Sequence, residues 1–321
     1  MHRRSMALAI AALALAPGLQ AQTAFPNKPV RLIVTYPPGG TVDVAARILG
    51  TKLAQIWAQP VVIDNRAGGG GIIGAQAVLS APADGYTLMV DASNHAQNPA
   101  LKKRMPFDTL KSFAAVSLLV KVPSVLVVNP AFAAQSPKDL VAYSLAHPGR
   151  LDFASSGNGS AQHLAAELFA LRTGAKMTHV AYRGGGPAMV DVMAGNVPVF
   201  FASLASSLPF IQSGKLRPLA VAGAKRSPVL PDTATFTETG ISGVDVYEWN
   251  GLFAPAGTPA ALVEKISKDV AAALNDREVK ARLMSLGAEV IGSSPKELEQ
   301  FRRAEITQWT ALGQRANIAL D

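Results

Sequence analysis

Cysteine is missing from all 321 residues, which excludes disulfides, thiol catalysis and thiolate metal sites. Aromatic residues are sparse at 6%, and charged residues make up only 16%. The basic residues are scattered, with Lys102-Lys103-Arg104 the densest group. A nucleic-acid surface calls for a basic stripe with aromatic platforms, and the chain has neither. Histidine is scarce too: His2, His95, His147, His163 and His179 stand at no ligand spacing. No metal site and no cofactor is therefore expected. Long hydrophobic runs are also lacking. A bilayer span needs about 20 apolar residues, whereas the run Ala7–Ala16 has ten and no other approaches span length. No internal repeat is visible.

That ten-residue run has its own reading. It follows the basic start Met1-His-Arg-Arg-Ser-Met and is broken by Pro17-Gly18, with Ala21 as a small residue for cleavage. This is the pattern of a secretory signal peptide over 1–21. The mature chain is expected to begin near Gln22 or Ala24 and to work outside the cytoplasm, in the periplasm. The remaining chain is long enough for two domains, and 49% hydrophobic residues suffice to fill their cores. Net charge is +8, or +6 once Arg3 and Arg4 are gone, a mild attraction for anionic ligands.

Strand and helix patterns alternate along the chain. Val30–Thr35, Val61–Ile63 and Tyr86–Val90 read as strands, with a helix over Val42–Trp57 whose apolar face carries Ala45, Ile48, Leu49, Leu53 and Ile56. Val120–Val128 reads as strand without a clear helix inside it, a place for a crossover. A second series follows: helix Pro137–Ala146, strand Leu151–Ala154, helix Ala161–Leu171, strand Met177–Ala181, helix Pro187–Met193, and strands Val197–Phe201 and Leu216–Val221. Val246–Phe253 carries the chain back, and Ala260–Leu274, Arg277–Leu286 and Pro295–Leu312 read as helices. The expectation is two α/β domains, each a mostly parallel sheet flanked by helices, joined by crossing strands. They would cover 22–122 with 248–321, and 123–247. Strand-like connections suit a hinge.

Three segments share one design: a strand end, a Gly- or Ser-rich loop, then a helix start. Free N–H groups there suit anions, and open α/β sheets bind ligands at the carboxyl ends of their strands. The first is Tyr36-Pro-Pro-Gly39-Gly40-Thr41-Val-Asp43, with Thr41 as a candidate N-cap and Asp43 in the first turn. The second is Ser155-Ser156-Gly-Asn158-Gly159-Ser160, whose hydroxyls and amides would hold a carboxylate. The third is Tyr182-Arg183-Gly-Gly-Gly-Pro187, with Pro187 near a helix start. Two other patterns are weighed and set aside. Gly69-Gly-Gly71-Ile-Ile-Gly74 matches the dinucleotide fingerprint, but dinucleotides are scarce outside the cytoplasm. Ser156, His163 and Asp191 would make a triad on paper, but no G-x-S-x-G elbow is present. An exported serine hydrolase therefore stands as the rival of another class.

At this point the residues resemble a known family. Val34-Thr-Tyr-Pro-Pro-Gly-Gly-Thr-Val-Asp43, Val61-Val-Ile-Asp-Asn65-Arg66-Ala-Gly, Pro82-Ala-Asp-Gly-Tyr86, Phe153-Ala-Ser-Ser-Gly-Asn-Gly-Ser160, Ala181-Tyr-Arg-Gly-Gly-Gly-Pro187 and Gly251-Leu-Phe-Ala-Pro-Ala-Gly-Thr-Pro259 are similar to the motifs of the Bug, or TctC-like, periplasmic receptors of tripartite tricarboxylate transporters. The resemblance implies a two-domain periplasmic-binding-protein fold of the Venus-flytrap kind, with a small carboxylate in the cleft and no catalysis. The implied partner is a membrane permease; a sensor kinase is the alternative. It places Tyr36–Asp43, Ser93-Asn94-His95, Ser155–Ser160 and Tyr182 at the ligand. Many relatives carry Phe-Asp-Asn-Leu-Pro-Ser where this chain has Phe201-Ala202-Ser203-Leu204-Ala205-Ser206. With Ala202 and Ser203 in place of Asp-Asn, a carboxylate is absent where relatives could use it to meet an ammonium group, and the ligand would be a plain carboxylate, aromatic or dicarboxylic.

Overall fold

The computed structural model describes residues 25–316. The signal-peptide expectation falls on 1–21 and lies outside the described residues. Strand β1 (Val30–Val34) is almost wholly buried and feeds α1 (Thr41–Trp57). Next come β2 (Val61–Asn65), a short 3-10 turn at Gly69–Gly71, α2 (Ile72–Leu79) and β3 (Thr87–Ala92). Two helices follow, α3 (Asn94–Leu101) and α4 (Thr109–Ser112), before the 16-residue strand β4 (Phe113–Val128).

The chain then runs through α5 (Pro137–Ala146), β5 (Asp152–Ser155), α6 (Ala161–Thr173), β6 (Thr178–Ala181), α7 (Gly185–Ala194), β7 (Val199–Ser203), α8 (Leu204–Gln212) and β8 (Arg217–Val221). It returns in β9 (Tyr247–Pro255) and ends in α9 (Ala260–Asn275), α10 (Arg277–Ser285), the two-residue β10 (Glu289–Val290) and α11 (Pro295–Ala316). Local chemistry sets many of these ends. Ser136, Ser160 and Asp276 cap α5, α6 and α10 with side-chain oxygens. Gly174 and Gly195 end α6 and α7 in the left-handed conformation.

The strands lie in the order β2-β1-β3-β9-β4-β7-β5-β6. The outer pairings, β1 with β2 and β3, and β5 with β6 and β7, are parallel, as βα alternation demands. The central pairings of β4 and β9 are antiparallel, because these strands carry the chain across and back. Residues 113–123 of β4 pair with β9, while 124–128 pair with β7 and β8. Pro123, which has no N–H to give, sits at the exchange of partners.

Three helices are not legible in the sequence. α4 has only four residues, too few to show a period. α3 contains Pro99 and α8 contains Pro209, and proline inside a short segment reads as a loop. α3 also buries polar residues (Asn94, His95, Gln97, Asn98), so its apolar periodicity is weak.

Candidate functional site

Strand ends and helix starts from both halves of the sheet meet around one small cavity of about 20 Å³, room for about one water molecule. The tip of α1 contributes Gly40, Thr41 and Val42. Those of α3, α7 and α8 contribute Ser93 and Asn94, Gly185, and Ser203 and Ser206. Gln162, in the first turn of α6, also reaches the cavity; Tyr36, Ala92, Ser156 and Glu248 complete the lining.

Four of these helices (α1, α3, α7 and α8) start without a side-chain cap. Most of their first-turn N–H groups are thus left for another acceptor, although Ala96 of α3 bonds the Ser93 carbonyl and Pro187 of α7 has no N–H; the helix dipoles favour an acceptor that is negative. The hydroxyls of Thr41 and Ser93 are buried and unpartnered. Unpaired buried donors of this kind are uncommon and call for a partner.

A second cavity of about 260 Å³ adjoins the first, sharing Tyr36 and Ser156 with it. It is lined by Gly68–Gly71, Gly157, Asn158 and Tyr182, with Lys102 and Arg183 as its basic residues. Asn94 Nδ2 reaches the Asn158 carbonyl at 3.5 Å, so the two sides nearly touch. Gly69–Gly71 of the dinucleotide-like motif form this wall. A Cβ at Gly71 would stand 2.9 Å from Asp91 Oδ1, and one at Gly74 2.9 Å from the Arg66 carbonyl. Close packing explains their presence.

The residues expected at the ligand separate into two groups. Tyr36, Gly40, Thr41, Ser93, Asn94, Ser156 and Ser203 line the inner cavity, and Asn158 and Tyr182 the outer one. The Tyr36 hydroxyl donates to Asn94 Oδ1 at 2.6 Å. The others line neither cavity. Asp43 is a brace: its carboxylate accepts from Gly39 N–H, Asn65 Nδ2 and the Arg47 guanidinium. Burial would raise the Asp43 carboxyl, but these bonds outweigh it and hold it below its ordinary value. Gly39 lies outside both linings, with its N–H tied to Asp43.

His95 stacks on Phe253 with ring centroids 3.9 Å apart and meets Asp91 at 3.2 Å. Burial lowers its pKa. Ser155 Oγ lies 2.6 Å from His179 Nε2, Gly159 N–H donates to His163 Nδ1, and Ser160 Oγ caps α6. Ala202 is fully buried among the apolar residues of the core. The paper triad is not assembled. His163 meets Gly159 and Glu167, while Asp191 accepts from Tyr182 and Asn196.

Gln162, Ser206 and Glu248 line the inner cavity although no sequence motif marks them. Gln162 lies two residues beyond the Ser160 cap, a signal that was available. Glu248 is an acidic residue inside an apolar strand, 6% exposed, and it brings a carboxylate to the cavity from outside the Ala202-Ser203 segment. Its Oε2 accepts from Gln162 Nε2 at 2.6 Å and its Oε1 from Asn250 Nδ2 at 3.3 Å. The Ser203 hydroxyl lies beside it without a well-aligned bond. Burial pushes the Glu248 carboxyl up, against the pull of these neighbours. Among the described residues no cluster of three or more His, Asp or Glu could hold a metal ion. No described helix is long and apolar enough to cross a membrane.

BugT of Bordetella pertussis is 36% identical over 305 residues, covering 94% of this chain and 93% of its own. Among solved structures, Rpa4515 of R. palustris with adipate superposes with a TM-score of 0.89 at 36% identity, covering 92% of this chain and 99% of that one. MatC from Rhodopseudomonas palustris with bound malate gives 0.85 at 32% identity, covering 89% and 99%. These likenesses establish the mixed α/β periplasmic-binding-protein fold. The sequence model of the tripartite tricarboxylate transporter family receptors, TctC, matches residues 45–318. The chain belongs to this family of solute-binding receptors.

Proposed function

We propose that the protein captures a small carboxylate in the periplasm, by closing two lobes around it, and presents it unaltered to a membrane permease of the tripartite tricarboxylate type. The observation that carries this reading is the convergence of four uncapped helix N-termini on one cavity. Each offers N–H donors to an anion, and the unpartnered Thr41 and Ser93 hydroxyls add two more. The lobes are 22–122 with 248–321, and 123–247. The exchange of β4 partners at Pro123 and the pairing of Pro123 with Tyr247 support that division.

A cavity of about 20 Å³ is too small for adipate or malate, so the lobes must part to admit a ligand and close over it. Closure removes water from the new hydrogen bonds and strengthens them. The outer cavity, with Lys102 and Arg183, suits the second carboxylate of a dicarboxylate. The adipate and malate bound by the two relatives support this class of ligand.

The test is a thermal-shift screen of the purified protein against mono-, di- and tricarboxylates. A carboxylate raises the melting temperature in a concentration-dependent way, by mass action. No shift with any carboxylate would overturn the reading. Sustained turnover of a chromogenic ester, lost in Ser156→Ala, would favour the hydrolase instead.

A further inference from the structure

Glu248 places a negative charge where carboxylate capture does not ask for one. It lies on β9 opposite Val122 of β4, at the crossing of the two strands, and it lines the inner cavity. The β1–α1 loop presents Tyr36, whose proton is held by Asn94. α6 presents Gln162, the β7–α8 junction presents Ser203 and Ser206, and the β3–α3 junction presents Ala92, Ser93 and Asn94. Asp91, bonded to Thr35 and His95, and Glu248 both push the Tyr36 hydroxyl upward, after the larger effect of burial.

Among the described residues lining the inner cavity there is no Lys or Arg; the basic residues Lys102 and Arg183 stand in the outer one. The helix tips give N–H donors to an incoming anion, but no side chain supplies a counter-charge for Glu248. A ligand carboxylate seated on those tips brings a second negative charge into a space with room for about one water. Two buried carboxylates side by side do not both ionise; they hold one proton between them.

Resting on the function proposed above, we propose that Glu248 makes capture proton-linked: it takes up one proton as the ligand's carboxylate enters, and the resulting O–H donates to that ligand. The Gln162 and Asn250 amides keep their bonds to the two oxygens and hold the carboxyl in place. Burial already raises Glu248 in the free protein; a second anion raises it further. Between the free and the bound value, binding consumes a proton and weakens as pH rises. Below both values the group is already protonated, and above both it stays ionised, so affinity levels off on either side.

The experiment is calorimetry with adipate and with malate from pH 5.5 to 8.5, in two buffers of different ionisation enthalpy, on the wild type and Glu248→Gln. The wild type is expected to take up close to one proton per ligand over part of this range. There its Kd rises by up to about tenfold per pH unit, the limit for one linked proton. Glu248→Gln, neutral at every pH, shows no uptake and a flat profile. Wild-type binding without uptake overturns the inference and leaves the receptor function standing, as does uptake that persists in Glu248→Gln. Tight, pH-independent binding of aspartate that is lost in Glu248→Gln also overturns it, since Glu248 then meets an ammonium group. Binding of neither probe, nor of any carboxylate in the thermal-shift screen, overturns the receptor function and the inference together. If Glu248→Gln fails to fold, the two-buffer comparison on the wild type decides.

Discussion

Gly186, the second residue of α7, faces the β1–α1 loop across the mouth of the cleft. A Cβ added there would stand 2.8 Å from the Pro38 carbonyl and 3.9 Å from Gly39. The first distance is too short for any real contact, and the obstacle is backbone rather than a yielding side chain. The loop has little freedom to retreat, because Asp43 holds the Gly39 N–H at 3.1 Å. On the closure proposed above, Gly186→Ala therefore acts on the closed form. Overpacking of this kind costs about 1–3 kcal/mol, which corresponds to roughly a 5- to 150-fold loss of affinity. The helix itself gains, since Ala is favoured over Gly by up to about 1 kcal/mol.

The two effects have opposite signs, and that makes the test sharp. Urea unfolding of the free variant should give unchanged or slightly higher stability, since on that proposal the free protein opens and relieves the clash. Calorimetry with the carboxylate found by thermal shift should give weaker binding. Small-angle scattering of the liganded variant should show a larger radius of gyration than the liganded wild type. Wild-type affinity at wild-type stability would refute the reasoning, because closure would then not bring α7 against Pro38.

Three further outcomes follow from the same geometry. Asp43→Ala removes the acceptor shared by Gly39, Asn65 and Arg47; Arg47 is half exposed and adds little, so the loss is about 2–3 kcal/mol in urea unfolding, with Asp43→Asn recovering part, and a change under about 0.5 kcal/mol would contradict the brace. Ser156→Ala weakens ligand binding by about 1–3 kcal/mol, read by calorimetry, whereas Ser160→Ala lowers stability through the lost α6 cap by about 1 kcal/mol; an affinity loss in Ser160→Ala at unchanged stability would reverse these roles. His179 is lowered to about 4 by burial and by the neighbouring His163, so the unfolded chain binds the extra proton first. Its contribution to stability is complete above the unfolded value and is lost as pH falls from about 6.5 toward 4. The slope of stability against pH in that window should flatten in His179→Phe, and an unaltered slope would place the titration elsewhere.

The sequence by itself determined the alternation of strands and helices, because apolar periodicity and turn residues are local. α5 runs from Pro137 to Ala146 as its pattern predicts, and Ser160 caps α6 as expected. The sequence also pointed to the three loops that meet at the site, since Gly- and Ser-rich helix starts announce free N–H groups. Tertiary structure decided which members of those loops face the cavity. Ser155 and Ser156 are adjacent and chemically alike, yet one turns back to His179 and the other lines both cavities. Asp43 and His95 carry the right chemistry for a ligand but spend it on Asn65 and on Asp91. Glu248 is remote in sequence from every loop motif and enters the site only because β9 pairs with β4 at the crossing. Local patterns fix what a segment becomes; the direction of a single side chain, and the company it keeps, depend on residues far away along the chain that only the fold brings near.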